Sequence, residues 1–411
     1  MFDADVLVAG AGPAGCLAAR ALALGGARVL LIDKARFPRN KPCGGGISAR
    51  AVVRFPWLSD VLSKIEVNAV SDLHLRAPDG QALDMSSAQP SVLLIRRLEF
   101  DEALLKEAIR CGAEHVDRFE VTQVDTHKGG VVLRARDGRR LTAGVVVAAD
   151  GVHSVIARRL GVNQAWKRSA VALDMMEETP SSTLRATMPG TLWVSYGHGD
   201  MGGYAYIFPK LRHVNVGIGC FLSDFQRQRT QHPYELQLRF VNELVAAGML
   251  SGNSDRSHFT PFLVPVGGPL RRAHHRESGR VLFVGDAGGF VNAFTAEGIY
   301  YAMVSGELAA TAALEGDFSA RSGRLFDRLW KKQLGRELSD SVIVQKFLFR
   351  DKRTINGVVS AGRSLPWLST LIVDYAAGRS SYTQARRRVL MASPRTALRL
   401  GWMLLQHGLF A

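Results

Sequence analysis

Three glycines and one aspartate near the start of the chain have the spacing of a dinucleotide-binding turn. Gly10, Gly12 and Gly15 follow one apolar stretch, and Asp33 ends the next. In such a turn the first glycine permits a tight bend, the second lets the backbone approach a pyrophosphate, and the third lets a helix pack on a sheet. The carboxylate of Asp33 is then placed to accept hydrogen bonds from ribose hydroxyls.

Positioning these residues requires a strand, a helix and a second strand. Residues 5–9 are apolar on both faces, as in a buried parallel strand, and residues 28–32 repeat that pattern. Small apolar residues at 16–24 predict the connecting helix. The order βαβ places a pyrophosphate at the helix N-terminus, where free N–H groups favour negative charge.

Two later apolar runs also end in an aspartate. Asp150 follows residues 144–149, and Asp286 follows residues 280–284. A helix is expected over residues 299–314, so Asp286 lies just before a helix N-terminus. There it can accept from a ribitol-type hydroxyl, while the amides of that helix stabilise an anionic ring edge.

A glycine-rich loop follows the second strand, at Cys43–Gly46. Three consecutive glycines predict a loop where the backbone comes close to something flat. Its place in the chain lets it reach the ring end of a bound dinucleotide. Two roles fit Cys43: a packing residue that shapes the loop, which we favour, and a redox partner.

Two later stretches are β-rich, residues 69–94 with a turn at Asp79-Gly80 and residues 171–220. Tyr204, Tyr206 and Phe208 alternate and therefore share one strand face. That aromatic stripe suits a sheet core and an apolar substrate pocket equally well. An amphipathic helix is expected over residues 234–250.

Composition is that of a globular chain large enough for two domains. It has 411 residues, 47% hydrophobic and 22% charged, with no apolar run long enough to span a membrane. The cysteines have neither metal-ligand spacing nor a disulfide pattern, so no metal is expected. The acidic N-terminus enters a core strand at once, leaving no room for a signal peptide. A cytoplasmic protein is expected.

Positive charge is concentrated at the C-terminal end. From Arg321 onward there are 17 Lys and Arg against 5 Asp and Glu, so +12 of the net +15 lies there. Residues 386–388 are all arginine, and residues 395–410 combine two arginines with a Leu-rich end that contains Trp402. This pattern predicts an interfacial helix and peripheral contact with the inner face of a membrane; packing against the protein body is the alternative. Nucleic-acid binding is disfavoured because no reader motif is present.

The three glycine and aspartate motifs together resemble the FAD-binding fold of the para-hydroxybenzoate hydroxylase superfamily. Within it, Pro42-Cys43-Gly-Gly-Gly, the segment from Tyr204 to Lys210 and the segment from Gly285 to Met303 resemble the geranylgeranyl reductase family. The resemblance implies FAD bound by Gly10, Gly12, Ala14, Gly15, Asp33, Lys34, Cys43, Gly45, Arg97, Asp150, Gly285, Asp286, Gly298 and Ile299. It also implies reaction-centre residues Cys43, Gly44, Gly45, Tyr204 and Tyr206.

Arg97 stands just before a predicted helix, and two interpretations are open for it. Such an arginine is often a solvated charge, and it can also reach back to a cofactor phosphate. Only the resemblance favours the second.

The family implies reduction of isolated carbon–carbon double bonds in a polyprenyl chain, by hydride from reduced flavin. NADPH and a reduced ferredoxin both fit as the external reductant. The sequence identifies neither the particular prenyl substrate nor the oligomeric state. Tyr204 and Tyr206 fit either a proton relay or a steric role.

Several departures from family patterns stand out. The family usually has Trp at Tyr206, Pro at Met201, Pro at Ala293 and Gly at Ala296. An FAD-dependent hydroxylase is the nearest alternative, but Gly288 replaces its usual His, and its Gly-Gln-Gly is absent. A halogenase would need a Trp-x-Trp-x-Ile-Pro element, which the sequence lacks.

The expected fold is α/β: a Rossmann-like, three-layer FAD-binding domain, an inserted antiparallel-sheet substrate domain and a helical C-terminal region. The FAD-binding domain is assigned to residues 1–70, 95–165 and 275–335. The substrate domain takes 71–94 and 166–274, and the basic helical region takes 336–411.

Overall fold

The computed structural model describes residues 2–198, 201–227, 232–376, 379–380, 384–385, 387–388 and 391. The chain divides into two compact units, each built from three segments. Unit 1 contains Met1–Lys41, Arg97–Ala170 and Val264–Ser339. Unit 2 contains Pro42–Arg96, Val171–Leu263 and Asp340–Ala411.

The strands alternate between the two units along the chain. They are β1 (Ala4–Ala9), β2 (Val29–Ile32), β3 (Gly46–Ser48), β4 (Val67–Val70), β5 (Asp72–Arg76), β6 (Ala82–Ser86), β7 (Val92–Ile95), β8 (Glu114–Val116), β9 (Val121–Thr126), β10 (Val131–Ala135), β11 (Arg140–Ala148), β12 (Val171–Pro180), β13 (Leu184–Ala186), β14 (Thr191–Tyr196), β15 (Gly203–Pro209), β16 (His213–Phe221), β17 (Leu250–Gly252), β18 (Phe259–Pro265) and β19 (Val281–Phe283).

The helices vary from one turn to nearly five. They are α1 (Pro13–Leu24), α2 (Arg50–Arg54), α3 (Leu58–Leu62), α4 (Arg97–Arg110), α5 (Val155–Arg159), α6 (Leu222–Arg227), α7 (Pro233–Ala246), α8 (Gly285–Gly288), α9 (Ile299–Glu315), α10 (Arg321–Trp330), α11 (Arg336–Leu348), α12 (Lys352–Ser364) and α13 (Pro366–Ala376). A π-helical turn at Lys331–Gly335 joins α10 to α11.

Unit 1 is built on a seven-stranded sheet in the order β8-β2-β1-β11-β10-β9, with β19 also paired to β11. β8, β2, β1, β11 and β19 are parallel to one another, whereas the β11–β10 and β10–β9 pairs are antiparallel. Parallel strands are buried on both faces, which is why β1 is apolar throughout its centre. The predicted βαβ unit and both later acid-tipped strands are confirmed.

Helix α1 packs closely on α9 because small residues face each other. A Cβ added to Gly306 would lie 2.1 Å from the carbonyl oxygen of Ala14. The backbones of the two helices therefore approach to a distance that only glycine permits, and this contact fixes α1 on the sheet.

Unit 2 contains a second seven-stranded sheet in the order β18-β12-β16-β15-β14-β5-β6. Its β12–β16, β15–β16, β14–β15 and β5–β6 pairs are antiparallel, whereas β5 and β14 are parallel. The sheet is therefore mixed rather than purely antiparallel as expected, because residues 71–94 contribute a parallel neighbour to β14. One face packs on α7, and the other packs on α12 and α13.

Several boundaries differ from those expected. Residues 42–70 belong to unit 2, because β3 and β4 pair with β7 in a three-stranded sheet. Residues 340–411 also group with unit 2 instead of forming a separate region. The predicted helix over 234–250 ends at Ala246, and Leu250 starts β17.

Within the described residues, none of the helices combines the length and the apolar character needed to cross a bilayer. The predicted interfacial helix at 395–410 lies outside the described residues. Arg387 and Arg388 are described and exposed.

Candidate functional site

The glycine turn, which joins β1 to α1, has room only for backbone at two of its positions. Gly10 has a φ of +105°, and a Cβ added to it would lie 2.3 Å from the carbonyl oxygen of Ala149. A Cβ on Gly15 would lie 1.8 Å from the carbonyl oxygen of Gly10. Above Gly12 the space is open, and the first atom that such a Cβ would meet is Arg39 Nη2 at 3.7 Å. The amides at the start of α1 face no side-chain cap and can receive an anion.

Asp33 ends β2, and its carboxylate reaches back to the glycine turn. Its Oδ2 accepts from the amide of Ala11 at 2.7 Å, and its Oδ1 accepts from the amide of Ala35 at 2.8 Å. A carboxylate offers about four acceptor positions, so Asp33 keeps capacity for ribose hydroxyls. The adjacent Lys34 is exposed.

Arg97 is a buried charge, so its interpretation as a solvated residue is wrong. Its Nε and Nη2 donate to the two carboxylate oxygens of Asp101 at 2.7 Å each. Arg39 Nη1 lies 3.0 Å from Asp101 Oδ2, and Asp101 is fully buried. Two guanidinium groups therefore share one carboxylate, and that of Arg39 lies over Gly12.

Asp150 follows β11 and is only partly compensated. Its Oδ2 accepts from the amide of Ile156 at 3.1 Å, while Oδ1 is buried and has no hydrogen-bond partner among the described residues. Burial raises the pKa of Asp150. An acceptor left in this state fits a site that receives a donor from a bound group.

Gly285 and Asp286 are the first two residues of the one-turn helix α8, which follows β19. Gly285 has a φ of +54°, and its amide donates to Ser305 Oγ at 3.0 Å. A Cβ added to Gly298 would lie 3.6 Å from Asp286 Oδ1. The carboxylate therefore faces the start of α9, whose first residue is Ile299.

The loop between α8 and α9 is held by a chain of three side chains. Asn292 Oδ1 accepts from the amides of Phe294 and Thr295 at 3.1 Å each. Its Nδ2 donates to Tyr301 Oη at 3.2 Å, and that hydroxyl donates to Glu337 Oε1 at 2.7 Å. Glu337 follows the π-helical turn, a feature common near functional sites.

Ala296, in the same loop, adopts a φ of +54°. The left-handed region costs an L-residue about 1–2 kcal/mol. The family's usual glycine at this position would avoid that cost, so this chain keeps a strained backbone in the loop before α9.

In unit 2 the Cys43–Gly46 loop lies on the sheet that carries the aromatic stripe. A Cβ added to Gly44 would lie 2.9 Å from Phe208 Cε2, and one on Gly45, whose φ is +77°, would lie 2.1 Å from the carbonyl oxygen of Ile95. Asn215 Nδ2 donates to the carbonyl oxygen of Cys43 at 3.2 Å. Glycine is required at positions 44 and 45 for close packing on Phe208 and on the backbone of Ile95, and Gly46 begins β3.

The aromatic stripe (Tyr204, Tyr206 and Phe208) forms one face of β15. Tyr206 is 3% exposed and donates through Oη to Asp174 Oδ2 at 3.0 Å. Its ring centre is 4.4 Å from that of Phe208. Burial, followed by the nearby Asp174 carboxylate, raises the pKa of Tyr206 well above its ordinary value. Tyr206 belongs to the hydrophobic core, whereas Tyr204 and Phe208 are partly exposed.

A buried ion pair lies beneath the loop. Lys210 Nζ pairs with Glu178 Oε1, and only 3% of the Lys210 side chain is exposed. A Cβ on Gly45 would lie 2.9 Å from Nζ. Burial lowers the pKa of Lys210, and Glu178 opposes that shift.

The structure divides the predicted site residues between the units. Gly10, Gly12, Ala14, Gly15, Asp33, Lys34, Arg97, Asp150, Gly285, Asp286, Gly298 and Ile299 lie in unit 1; Cys43, Gly44, Gly45, Tyr204 and Tyr206 lie in unit 2. Those of unit 1 gather at the carboxyl ends of its parallel strands, where ligands bind in open α/β sheets. The part of the chain described contains no cluster of three metal-ligating His, Cys, Asp or Glu residues.

Sequence reasoning missed Arg39, Asp101 and the Lys210–Glu178 pair. The spacing of Arg97 and Asp101 by four residues on a predicted helix was an available signal. Arg39 has no periodic context and offered none. With the glycine turn, Asp33 and the two guanidinium groups, unit 1 has the donors and acceptors that a dinucleotide needs.

Comparisons with known proteins point in the same direction. Residues 3–306 match the family model described as FAD binding domain. Digeranylgeranylglycerophospholipid reductase 1 of Methanothermobacter thermautotrophicus is 27% identical over 97% of this chain and 98% of its own length. Menaquinone reductase of Mycobacterium tuberculosis is 30% identical over 82% of each chain. The crystal structure of a geranylgeranyl bacteriochlorophyll reductase-like protein from Thermoplasma acidophilum is similar, with a TM-score of 0.74, 21% identity and coverage of 97% and 99%. This likeness confirms the predicted fold class.

Proposed function

Because this chain belongs to the geranylgeranyl reductase family of FAD-dependent oxidoreductases, we propose that it saturates isolated double bonds of a geranylgeranyl or other polyprenyl chain. When bound and reduced, FAD supplies the hydride for such a reaction. The protein must then bind the cofactor, hold an apolar chain and keep water away. A proton must also reach the neighbouring carbon.

Unit 1 supplies the residues that bind the cofactor. Arg39 and the amides of α1 hold the pyrophosphate, with Arg97 oriented by Asp101 behind them. Asp33 accepts from the ribose, and Asp286 accepts from the ribitol chain. Each assignment rests on an acceptor or donor that faces the glycine turn or the start of α9.

The observation that carries the proposal is the contact between the Cys43–Gly46 loop and the aromatic stripe. Gly44 leaves no room for a side chain against Phe208, so the loop presents bare backbone beside aromatic rings. Lys210 is buried and paired with Glu178 there, and Arg96 Nε lies 3.9 Å from the same carboxylate. The bare backbone and the aromatic rings favour a hydrocarbon chain over a polar substrate.

Tyr206 serves this surface as a neutral wall and not as an acid. Its hydroxyl donates to Asp174, and its raised pKa keeps the proton in place at physiological pH. We therefore assign Tyr206 to positioning of the prenyl chain.

The test is an anaerobic assay with chemically reduced enzyme and a geranylgeranyl substrate. Products heavier by multiples of two mass units are expected. An FAD-dependent hydroxylase would instead require oxygen and add sixteen mass units, and that result would overturn the proposal.

The substrate is narrowed by running the assay in parallel with two classes of molecule. A digeranylgeranyl glycerophospholipid and menaquinone are the substrates suggested by the names of the relatives. Reductant is varied between NADPH and reduced ferredoxin in the same assay. The combination of substrate and reductant that gives the highest turnover identifies the substrate class and the reductant.

A further inference from the structure

Unit 1 contains an open cavity lined on one side by the segment that precedes β19. The cavity has a volume of about 540 Å³. Ligand pockets commonly span about 300–1,000 Å³, so this volume suits one small molecule. None of the residues expected to bind FAD lines it.

The segment that lines the cavity has a rigid backbone. The amide of Leu270 donates to the carbonyl oxygen of Gly288 at 2.9 Å, next to the start of α8. The carbonyl oxygen of Ala273 accepts from the amide of Phe283 in β19 at 2.8 Å. The amide of Ala273 donates to Asp327 Oδ1 at 3.1 Å. Side chains on this segment therefore start from fixed positions.

Three arginines project from this rigid segment into the cavity lining, at positions 271, 272 and 276. All three are exposed, and none forms a hydrogen bond or an ion pair with any described residue. Arg134 and Arg136 of the same unit are also exposed, and each is paired with a carboxylate, that of Asp125 and that of Glu120 respectively. Grouped guanidinium groups without partners repel one another unless an anion joins them.

Few negative charges oppose these arginines. Glu277 is the one carboxylate in the lining, and its Oε2 lies 4.0 Å from His275 Nε2. Asp327 is engaged with His274, whose Nδ1 is 3.3 Å away. Burial lowers the pKa of His275, so its ring is neutral at physiological pH. The arginines thus leave a net positive lining.

Part of the cavity lining is apolar. Leu160, Val162 and Leu270 are partly buried and pack against the hydrophobic core of unit 1. A ligand that fills the cavity can place anionic groups on the guanidinium groups and a ring or hydrocarbon on the apolar side chains.

We propose that this cavity, the arginine cavity, binds a phosphate ester whose non-phosphate part lies on Leu160 and Val162. Guanidinium groups recognise phosphate through paired, charge-assisted hydrogen bonds. Two sources supply such a group: the phosphates of a nucleotide electron donor, and the diphosphate of a prenyl diphosphate. The proposal is independent of the reductase activity, because binding is measured without turnover.

The experiment titrates FAD-loaded, full-length protein with pyrophosphate, adenosine 2′,5′-bisphosphate and geranylgeranyl diphosphate, by calorimetry at low salt. Saturable binding of at least one organic phosphate, tighter than pyrophosphate, is expected. The variant carrying Arg271→Gln, Arg272→Gln and Arg276→Gln should bind it at least tenfold more weakly. The preferred ligand identifies the source.

The matched control is Arg134→Gln with Arg136→Gln, which removes two exposed arginines of the same unit. It should leave the affinity unchanged, and FAD content should be equal in all three proteins. The proposal is overturned if wild-type protein shows no saturable binding, or if the triple variant binds as tightly as wild type.

Discussion

The hydroxyl of Tyr206 reaches across β16 to the carboxylate of Asp174, and Gly217 makes this possible. A Cβ on Gly217 would lie 2.5 Å from Tyr206 Oη, so the ring occupies the place of a missing side chain. The hydrogen bond joins β15 to β12 over their common neighbour at 3.0 Å.

Replacing this tyrosine separates its packing from its hydrogen bond. Tyr206→Phe should lower the free energy of unfolding by about 1–3 kcal/mol, because a buried acceptor on Asp174 loses its donor. Tyr206→Ala should impair turnover far more than FAD binding. Urea denaturation measures the free energy of unfolding, the anaerobic assay measures turnover, and flavin titration measures FAD binding. Tyr234→Phe, in unit 2, is the control and should change neither stability nor turnover. Equal losses of turnover and FAD binding in Tyr206→Ala would assign the stripe to the core alone.

Asp286→Ala should weaken FAD binding by about 1–3 kcal/mol, the scale for an unpaired hydrogen-bond partner. The reason is its place facing the start of α9. Fluorescence titration of apoprotein with FAD gives the affinity. Asp125→Ala removes a carboxylate of the same unit that pairs only with Arg134 at the surface, and it should bind FAD as wild type does. Unchanged affinity in Asp286→Ala would remove this residue from the cofactor site.

Ala296→Gly should stabilise the protein by about 0.5–1 kcal/mol. Relief of the left-handed backbone gains about 1–2 kcal/mol, and the extra freedom of glycine in the unfolded chain costs about 0.5–1 kcal/mol. Chemical denaturation provides the measurement. Ala103→Gly, within α4, should instead destabilise by about 1 kcal/mol. A loss of stability in both variants would contradict a strained Ala296.

Glu177 should contribute a loss of stability as pH rises from about 5 to 7. Burial raises the pKa of Glu177 to about 7, while Ser254 donates to its Oε2. In this window the unfolded chain has lost the proton and the folded protein keeps it, so folding becomes less favourable up to about pH 7 and stays level above it. The contribution is at most about 3 kcal/mol.

Glu177→Gln should flatten that pH dependence, as measured by urea denaturation between pH 5 and 8. Glu315→Gln, at the exposed end of α9, should follow the wild-type curve. Glu107 and Asp327, with pKa values lowered to about 2, titrate below this window. Burial lowers the pKa of four histidines that titrate within it, but their contribution is common to wild type and variant and cancels in the difference: His115, His198, His213 and His275. Parallel curves for wild type and Glu177→Gln would show that Glu177 titrates normally.

Full-length protein should float with anionic vesicles at low salt, and removal of residues 390–411 should abolish flotation. Each basic residue near an anionic surface contributes about 1 kcal/mol, so replacing residues 386–388 by glutamine should weaken binding and increase its salt sensitivity. Absence of flotation at low salt would reject membrane contact. If the truncated protein unfolds, the segment belongs to the folded body.

Patterns within short stretches of sequence predicted the turns, strands and helices that depend on neighbouring residues. The glycine turn, the acid-tipped β2 and β19 and the helix from Ile299 follow from glycine spacing and apolar runs. Residues 42–70 group with unit 2, unlike the sequence-based division, because β3 and β4 pair with β7, which lies farther along the chain.

The charged partners of the site could not be predicted for the same reason. Arg39 meets Asp101, and Lys210 meets Glu178, only after two distant segments come together. Neither pair has a periodic signature. Both ion pairs matter for the site because they are buried.

The contact between Gly306 and Ala14 has a consequence for synthesis on the ribosome. Helix α1 and its strand emerge early, yet the helix that covers them is complete only after residue 306, when most strands of both units have been made. The nascent chain therefore carries an uncovered apolar strand for most of translation. Contacts of such long sequence separation belong to slowly folding topologies that are exposed to aggregation meanwhile.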